Sequence, residues 1–188
     1  MIKLKDILLE NPIIAAIRND DDLKNVLKSD AIVIFVLYGD ILNIGHICNK
    51  LKEKNKTVFV HVDLIEGLRG DSAGIKYVKE NANPDGIIST KASNIKYGHN
   101  LGMYTIQRIF IIDSLSLKTG IKNIHETSPN AVEVMPGVAS KIISNMEKEI
   151  STYIIAGGLI KTKKDVIDSL SAGALAISTT ERTLWNMQ

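Results

Sequence analysis

Residues 153–180 read YIIAGGLIKTKKDVIDSLSAGALAISTT, and this stretch decides how the rest of the chain is understood. A short apolar run, Tyr153–Ala156, is followed by two glycines. Thr162–Asp165 then resembles a helix-capping box. A segment with helical spacing leads to Gly173, placed where a helix ends, and a second apolar run, Ala174–Ser178, closes the unit. Gly157 and Gly158 directly follow one strand, and small hydroxyl residues end the next. Both are positions where backbone comes close to a ligand.

The same alternation extends back to the amino-terminal part of the chain. Strand-like runs fall at Ile13–Ile17, Ala31–Leu37, Thr57–Val62, Gly86–Ser89, Met103–Gln107 and Ala131–Val134, ahead of the two just quoted. Between them, Ile41, Ile44, Cys48 and Leu51 form one helical stripe. Leu117, Ile121 and Ile124 form another, and Val138, Ile142, Met146 and Ile150 a third. Asp40 and Ser114 are candidate N-caps. Strands each followed by a helical segment imply a parallel sheet, and eight of them favour closure into a compact single-domain (β/α)8 TIM-type barrel spanning residues 1–188. The chain is short for that fold, which usually takes about 250 residues. Short loops and a stunted last helix over Thr180–Met187 would reconcile the two. An open doubly wound sheet is disfavoured because "IIAAIRND" lacks a glycine-rich turn.

Composition narrows the function classes. The apolar fraction of 45% and charged fraction of 23% are those of a globular protein. No apolar run approaches the roughly 20 residues that span a bilayer. The start, MIKLKDILLE, lacks a secretory pattern, so a cytoplasmic location is expected. One cysteine, Cys48, excludes an intramolecular disulfide and a cysteine-cluster metal site. A net charge of +2 does not announce a nucleic-acid domain, and Lys50, Lys52, Lys54 and Lys56 read as a solvated helix end.

Strand side chains alternate with period two, which separates barrel interior from helix layer. In TVFVHVD the valines Val58, Val60 and Val62 suit the helix layer, leaving Phe59, His61 and Asp63 inward. By the same parity Glu133 points inward, as do Ile14, Ala16 and Arg18, with Arg18 at the rim. Ser89, Gln107 or Arg108, and Ser178 occupy the corresponding ends of other strands. Sites in this fold lie at the carboxyl ends of the strands. Arg18, Asp63, Arg108 and Glu133 therefore converge as a candidate ligand-binding mouth, or neutralise one another as a structural network. Gly157, Gly158, Ser178 and Thr179 are the candidate phosphate-binding group. Bare backbone after strand seven and hydroxyls after strand eight suit an anion. Lys161, Lys163 and Lys164 add positive potential or face water.

Seven segments in order, PIIAAIRN, VFVHVDLIEGL, GIISTK, IQRIFIIDS, VEVMPG, AGGLI and GALAIST, together resemble the glycerol-3-phosphate-responsive antiterminator family, bacterial regulators of glycerol uptake operons. The resemblance spans nearly the whole chain. It implies a barrel that binds glycerol 3-phosphate as effector and then acts on leader mRNA of a glycerol operon to prevent premature termination. By matching motif it assigns the same eight site residues that parity selects, and it places no RNA contact. The resulting expectation is a non-catalytic regulator with no cofactor, no metal and no membrane partner. A homo-oligomer stays open, because no surface is apolar enough to select one. The alternative is an isomerase or aldolase acting on a small phosphorylated substrate, with Asp63 or Glu133 as base or Lys91 as a Schiff-base amine.

Overall fold

The computed structural model describes residues 3–187, and in it the strands close into a barrel. The eight strands are β1 Ile13–Ile17, β2 Val33–Val36, β3 Thr57–His61, β4 Gly86–Ser89, β5 Tyr104–Phe110, β6 Ala131–Met135, β7 Tyr153–Gly157 and β8 Ala176–Thr179. Each runs parallel to its neighbours in chain order, and β8 pairs with β1 to shut the ring. Helices α1 Leu4–Glu10, α2 Asp20–Val26, α3 Ile44–Lys52, α4 Ser72–Asn81, α5 Ala92–Asn100, α6 Ser114–Thr127, α7 Ser140–Glu149 and α8 Lys163–Ser171 account for the rest. Among the described residues, β8 is followed by a 3-10 turn, Arg182–Leu184, and no α-helix.

Within the strands the parity argument holds. Ile14, Ala16, Val33, Phe35, Phe59, Ile88, Ile106, Ala131, Ile155 and Ala176 form one interior cluster. Phe35 and Phe59 meet edge to face at 5.8 Å, filling the middle of the ring. Val58, Val60 and Val62 pack instead with Ile44, Cys48 and Leu51 in the helix layer. Cys48 is a buried free thiol, and burial pushes its pKa up to about 12, which keeps it protonated and inert. Helix α1 was not foreseen. Its Leu4 and Leu8, four residues apart on one face, insert into the amino-terminal end of the interior cluster and stopper it.

Several local expectations shift. Strand β5 continues to Phe110, beyond Gln107, because Ile106–Phe110 pairs with the whole of β6. Asp113 caps α6 with a capping box to Ser116, so Ser114 is the first helical residue. Asp40 bonds the N–H groups of Leu42 and Asn43 in the turn before α3, whose N-cap is Asn43. Lys56 is no solvated helix end. It is buried, and its Nζ donates to the Ser29 and Ala31 carbonyls, tying β3 to the loop before β2. The Thr162–Asp165 box forms as read.

Candidate functional site

At the carboxyl end of the strands, Arg108 of β5 and Glu133 of β6 are register partners that both point inward. Arg108 Nε donates to Glu133 Oε2 at 2.6 Å, with Glu133 fully buried and Arg108 7% exposed. The other Glu133 oxygen accepts from the Ser178 hydroxyl of β8. A buried carboxylate is thus matched by one guanidinium and one hydroxyl, which offsets its desolvation. The two terminal amino groups of Arg108 make no hydrogen bond with the described residues.

Above this floor lies a small cavity of about 70 Å³ lined in part by Ala16, Arg108, Glu133, Ser178 and the residues from Gly158 to Ile160 and Ser178 to Thr180. Among the described residues none accepts a hydrogen bond from the main-chain N–H of Gly158, Leu159, Ile160 or Thr180. Four donors are therefore unspent around one cavity. The backbone there is also unusual. Gly158 has φ +78° and Leu159 φ +62°, and a leucine in the left-handed region is held there at a cost of about 1–2 kcal/mol. The two loops are pinned together, since the Thr179 hydroxyl donates to the Ile160 carbonyl at 2.8 Å and Trp185 Nε1 donates to the Thr179 carbonyl at 3.0 Å.

The residues singled out from the sequence divide into two groups. Arg108, Glu133, Gly158, Ser178 and Thr179 line the cavity. Gly157 lies beneath it, and its bareness has a different cause from the one expected. A Cβ at Gly157 would fall 2.5 Å from Glu133 Oε1 and 2.6 Å from Ser178 Oγ, so it is bare to admit that side-chain pair. Thr179 lines the cavity, but its hydroxyl proton is committed to Ile160 and its oxygen accepts from Glu181 N, leaving no hydroxyl donor for a ligand.

Arg18 and Asp63 stand apart from the cavity. Arg18 is an exposed rim residue whose N–H donates to Asp22. At Asp63 the chain has left β3 and entered a 3-10 turn, Val62–Leu64, so strand parity no longer governs it. Its carboxylate accepts from Ser89 Oγ, Thr90 N, Thr90 Oγ1 and Asn94 Nδ2 at 2.7–3.1 Å, bracing the start of α5. Burial raises the Asp63 pKa, but the hydrogen bonds from Thr90 and Ser89 and the nearby His61 outweigh it and hold the acid below its ordinary value. Ser89 and Gln107 face the helices, Gln107 through a bond from Thr127.

His61 is 2% exposed inside the barrel, with Nδ1 lacking a partner among the described residues. Burial first, then the Arg108 charge, lower its pKa to about 4, so the ring is neutral at ordinary pH. At the start of α8 the capping box uses the Asp165 N–H, which donates to Thr162 Oγ1. Asp165 accepts from Lys161 N and Thr162 N in its capping box. Lys164 pairs with Asp168, while Lys161 and Lys163 are exposed.

Sequence reasoning missed Leu159 and Thr180, and it missed the Arg182 latch. Arg182 Nε donates to buried Asp22 at 2.9 Å, and its Nη2 reaches Asp21 at 2.7 Å, joining the loop after β8 to the start of α2. These partners are 160 residues apart and meet only through barrel closure, so no local pattern announces them.

Comparison with known proteins bears on this arrangement. A glycerol uptake operon antiterminator regulatory protein from Listeria monocytogenes superposes with a TM-score of 0.90 at 31% identity, covering 94% of this chain and 95% of that one. A glycerol uptake operon antiterminator-related protein from Thermotoga maritima gives a TM-score of 0.84 at 35% identity, covering 94% and 99%. The uncharacterized protein YgcP of Escherichia coli (strain K12) is 36% identical over 184 residues, 98% of this chain and 96% of that protein. The family model for the glycerol-3-phosphate responsive antiterminator matches residues 13–185, and the chain belongs to that family.

Proposed function

We propose that the barrel mouth binds the phosphate of glycerol 3-phosphate, and that occupancy shifts the protein toward a state that binds the leader mRNA of glycerol-utilisation genes and prevents premature transcription termination. The observation that carries this reading is the set of unspent N–H groups of Gly158, Leu159, Ile160 and Thr180 around one small cavity, with the free amino groups of Arg108 beside them. Fixed neutral donors plus one guanidinium are the chemistry that receives a phosphate. The cavity size agrees. About 70 Å³ is room for roughly five waters, which suits a phosphate on a short chain and not a nucleotide. The effector and the RNA target come from family membership and from what the Listeria and Thermotoga relatives are called. Because transcripts are the target, this reading locates the protein in the cytoplasm. Among the described residues no helix is long and apolar enough to cross a membrane.

A regulatory rather than catalytic role fits the side chains. Glu133, the buried carboxylate at the cavity, is spent on Arg108 and Ser178, and Asp63 on four donors. Lys91 is exposed beyond β4 and outside the barrel interior, a poor setting for Schiff-base chemistry. Calorimetric titration with glycerol 3-phosphate, followed by leader-RNA binding with and without it, tests the reading. An allosteric coupling of about 1–3 kcal/mol gives roughly a 5–150-fold change in RNA affinity. Equal RNA affinity in both conditions, or turnover of a phosphorylated substrate, would overturn it.

A further inference from the structure

Two clefts meet on the amino-terminal face of the barrel, at the opposite end from the ligand cavity. One, of about 620 Å³, includes Lys52, Lys79, His99, Tyr104 and Asn130 in its walls. The other, of about 300 Å³, includes Lys5 and Tyr153 and shares Tyr104 and Asn130 with the first. Together they run beside α1 from the start of β7 to the start of β3. That arc of four strand spacings is about 19 Å long.

The chemistry of the walls is specific. Lys5 and Tyr153 form a cation–π pair at 5.8 Å, and Tyr153 keeps 37% of its surface exposed. Lys3, Lys5 and Lys79 make no ion pair with the described residues. The acid of the cleft, Asp85, is occupied by Lys52 at 3.5 Å and by Val58 N at 2.8 Å. A groove with unpaired ammonium groups and the partly exposed Tyr153 ring is built for a chain that carries regular negative charge and flat rings. The opposite face is less suited to a polyanion, because Asp20, Asp21, Asp40 and Glu66 stand on its β1–β3 side, the last two held close by a main-chain β-bridge.

We propose that a single-stranded segment of RNA lies in this cleft, its phosphates on Lys3, Lys5 and Lys79 and a base stacked on Tyr153. The proposal rests on the RNA reading given above and adds where the RNA sits. It also makes the effector and RNA sites opposite ends of one barrel, so that coupling between them runs through the strands.

Fluorescence anisotropy with a random-sequence single-stranded RNA pool, at saturating glycerol 3-phosphate, tests it. Wild-type affinity falls with salt with a log–log slope of about −2, from three lysines on a single strand. Lys5→Ala/Lys79→Ala reduces the slope by about 1.4. Tyr153→Ala weakens binding at least about fivefold. The calorimetric isotherm for glycerol 3-phosphate and the thermal melt stay at wild-type values in both variants, which excludes misfolding. If these variants keep wild-type RNA affinity while Lys141→Ala/Lys163→Ala on the opposite rim loses it, the cleft is the wrong surface and the RNA reading stands. If wild-type protein binds the effector but no RNA, the cleft and the RNA reading fall together. RNA binding lost in the cleft variants, in a protein that ignores glycerol 3-phosphate, supports the cleft and removes the effector.

Discussion

Gly157→Ala tests how the floor of the mouth is assembled. The added methyl would stand 2.5 Å from Glu133 Oε1 and 2.6 Å from Ser178 Oγ, inside the 3.0 Å that real Cβ contacts respect. Neither neighbour has room to withdraw. Glu133 is fully buried and held by Arg108 at 2.6 Å, and Ser178 is 3% exposed. The methyl must therefore break the hydroxyl–carboxylate bond, worth about 1.5–3 kcal/mol to a charged group. It also overpacks the layer, at about 1–3 kcal/mol. Because relief of one reduces the other, the expected loss is about 2–4 kcal/mol. With a urea m-value of about 2 kcal/mol/M, the unfolding midpoint falls by about 1–2 M. Gly158→Ala provides the contrast. Its backbone has φ +78°, but the nearest obstacle at 2.9 Å is the flexible end of Met135, so the loss is about 1 kcal/mol, mostly backbone strain. Urea unfolding followed by circular dichroism measures both. A Gly157→Ala midpoint within about 0.3 M of wild type would refute the packing argument for that glycine.

Arg108→Met removes the buried counter-charge of Glu133, which destabilises the protein by about 3–5 kcal/mol and lowers the melting temperature by about 10 °C. It also lowers glycerol 3-phosphate affinity at least tenfold in calorimetry. A melt within about 2 °C of wild type would show that the pair is not buried as described. Since the His61 pKa is lowered to about 4, the unfolded chain binds the extra proton first as pH falls. Stability is therefore full above about pH 6.5 and declines by up to about 3 kcal/mol on the way to pH 4. Asp63, held below its ordinary value, adds its own loss only at lower pH. His61→Leu flattens the pH 6.5–4 limb in urea titrations, and an unchanged slope would assign that limb elsewhere. Leu159→Gly releases the left-handed strain of an exposed side chain and stabilises the protein by about 0.5–1 kcal/mol in the same assay. A loss of more than about 1 kcal/mol would contradict the strain.

What the sequence disclosed follows from which rules are local. The period-two valines of Thr57–Val62 and the capping box at Thr162–Asp165 depend on neighbours in the chain, and both appear as read. Glu133 was placed inward by parity alone, and Arg108 emerges opposite it because adjacent parallel strands carry register partners to the same side. Asp63 was misplaced for the same reason. Parity ends with the strand at His61, and the turn at Val62–Leu64 swings Asp63 toward Ser89 and Thr90. The spare N–H groups at Gly158–Ile160 could not be inferred, because a hydrogen bond left unmade depends on every acceptor nearby. Leu159 shows no sequence sign of its left-handed backbone, since leucine rarely adopts it. The same holds for α1, whose short stripe gains meaning only from the open barrel end that Leu4 and Leu8 fill.

The pairing of β1 with β8 has a consequence for when the protein becomes competent during synthesis. The first strand cannot complete its ladder until Ala176–Thr179 exists, and the donors at Gly158–Ile160 and Thr180 are made only after the seventh strand. The clasp from Thr179 to Ile160 and the Arg182 latch onto Asp22 are equally late. A nascent polypeptide halted before residue 176 thus possesses Arg108, Glu133 and the Gly158–Ile160 loop, but lacks the Ser178 hydroxyl, the Thr180 N–H and the clasp that fixes that loop. The cavity at the strand ends therefore closes only after β8 has docked on both of its neighbours.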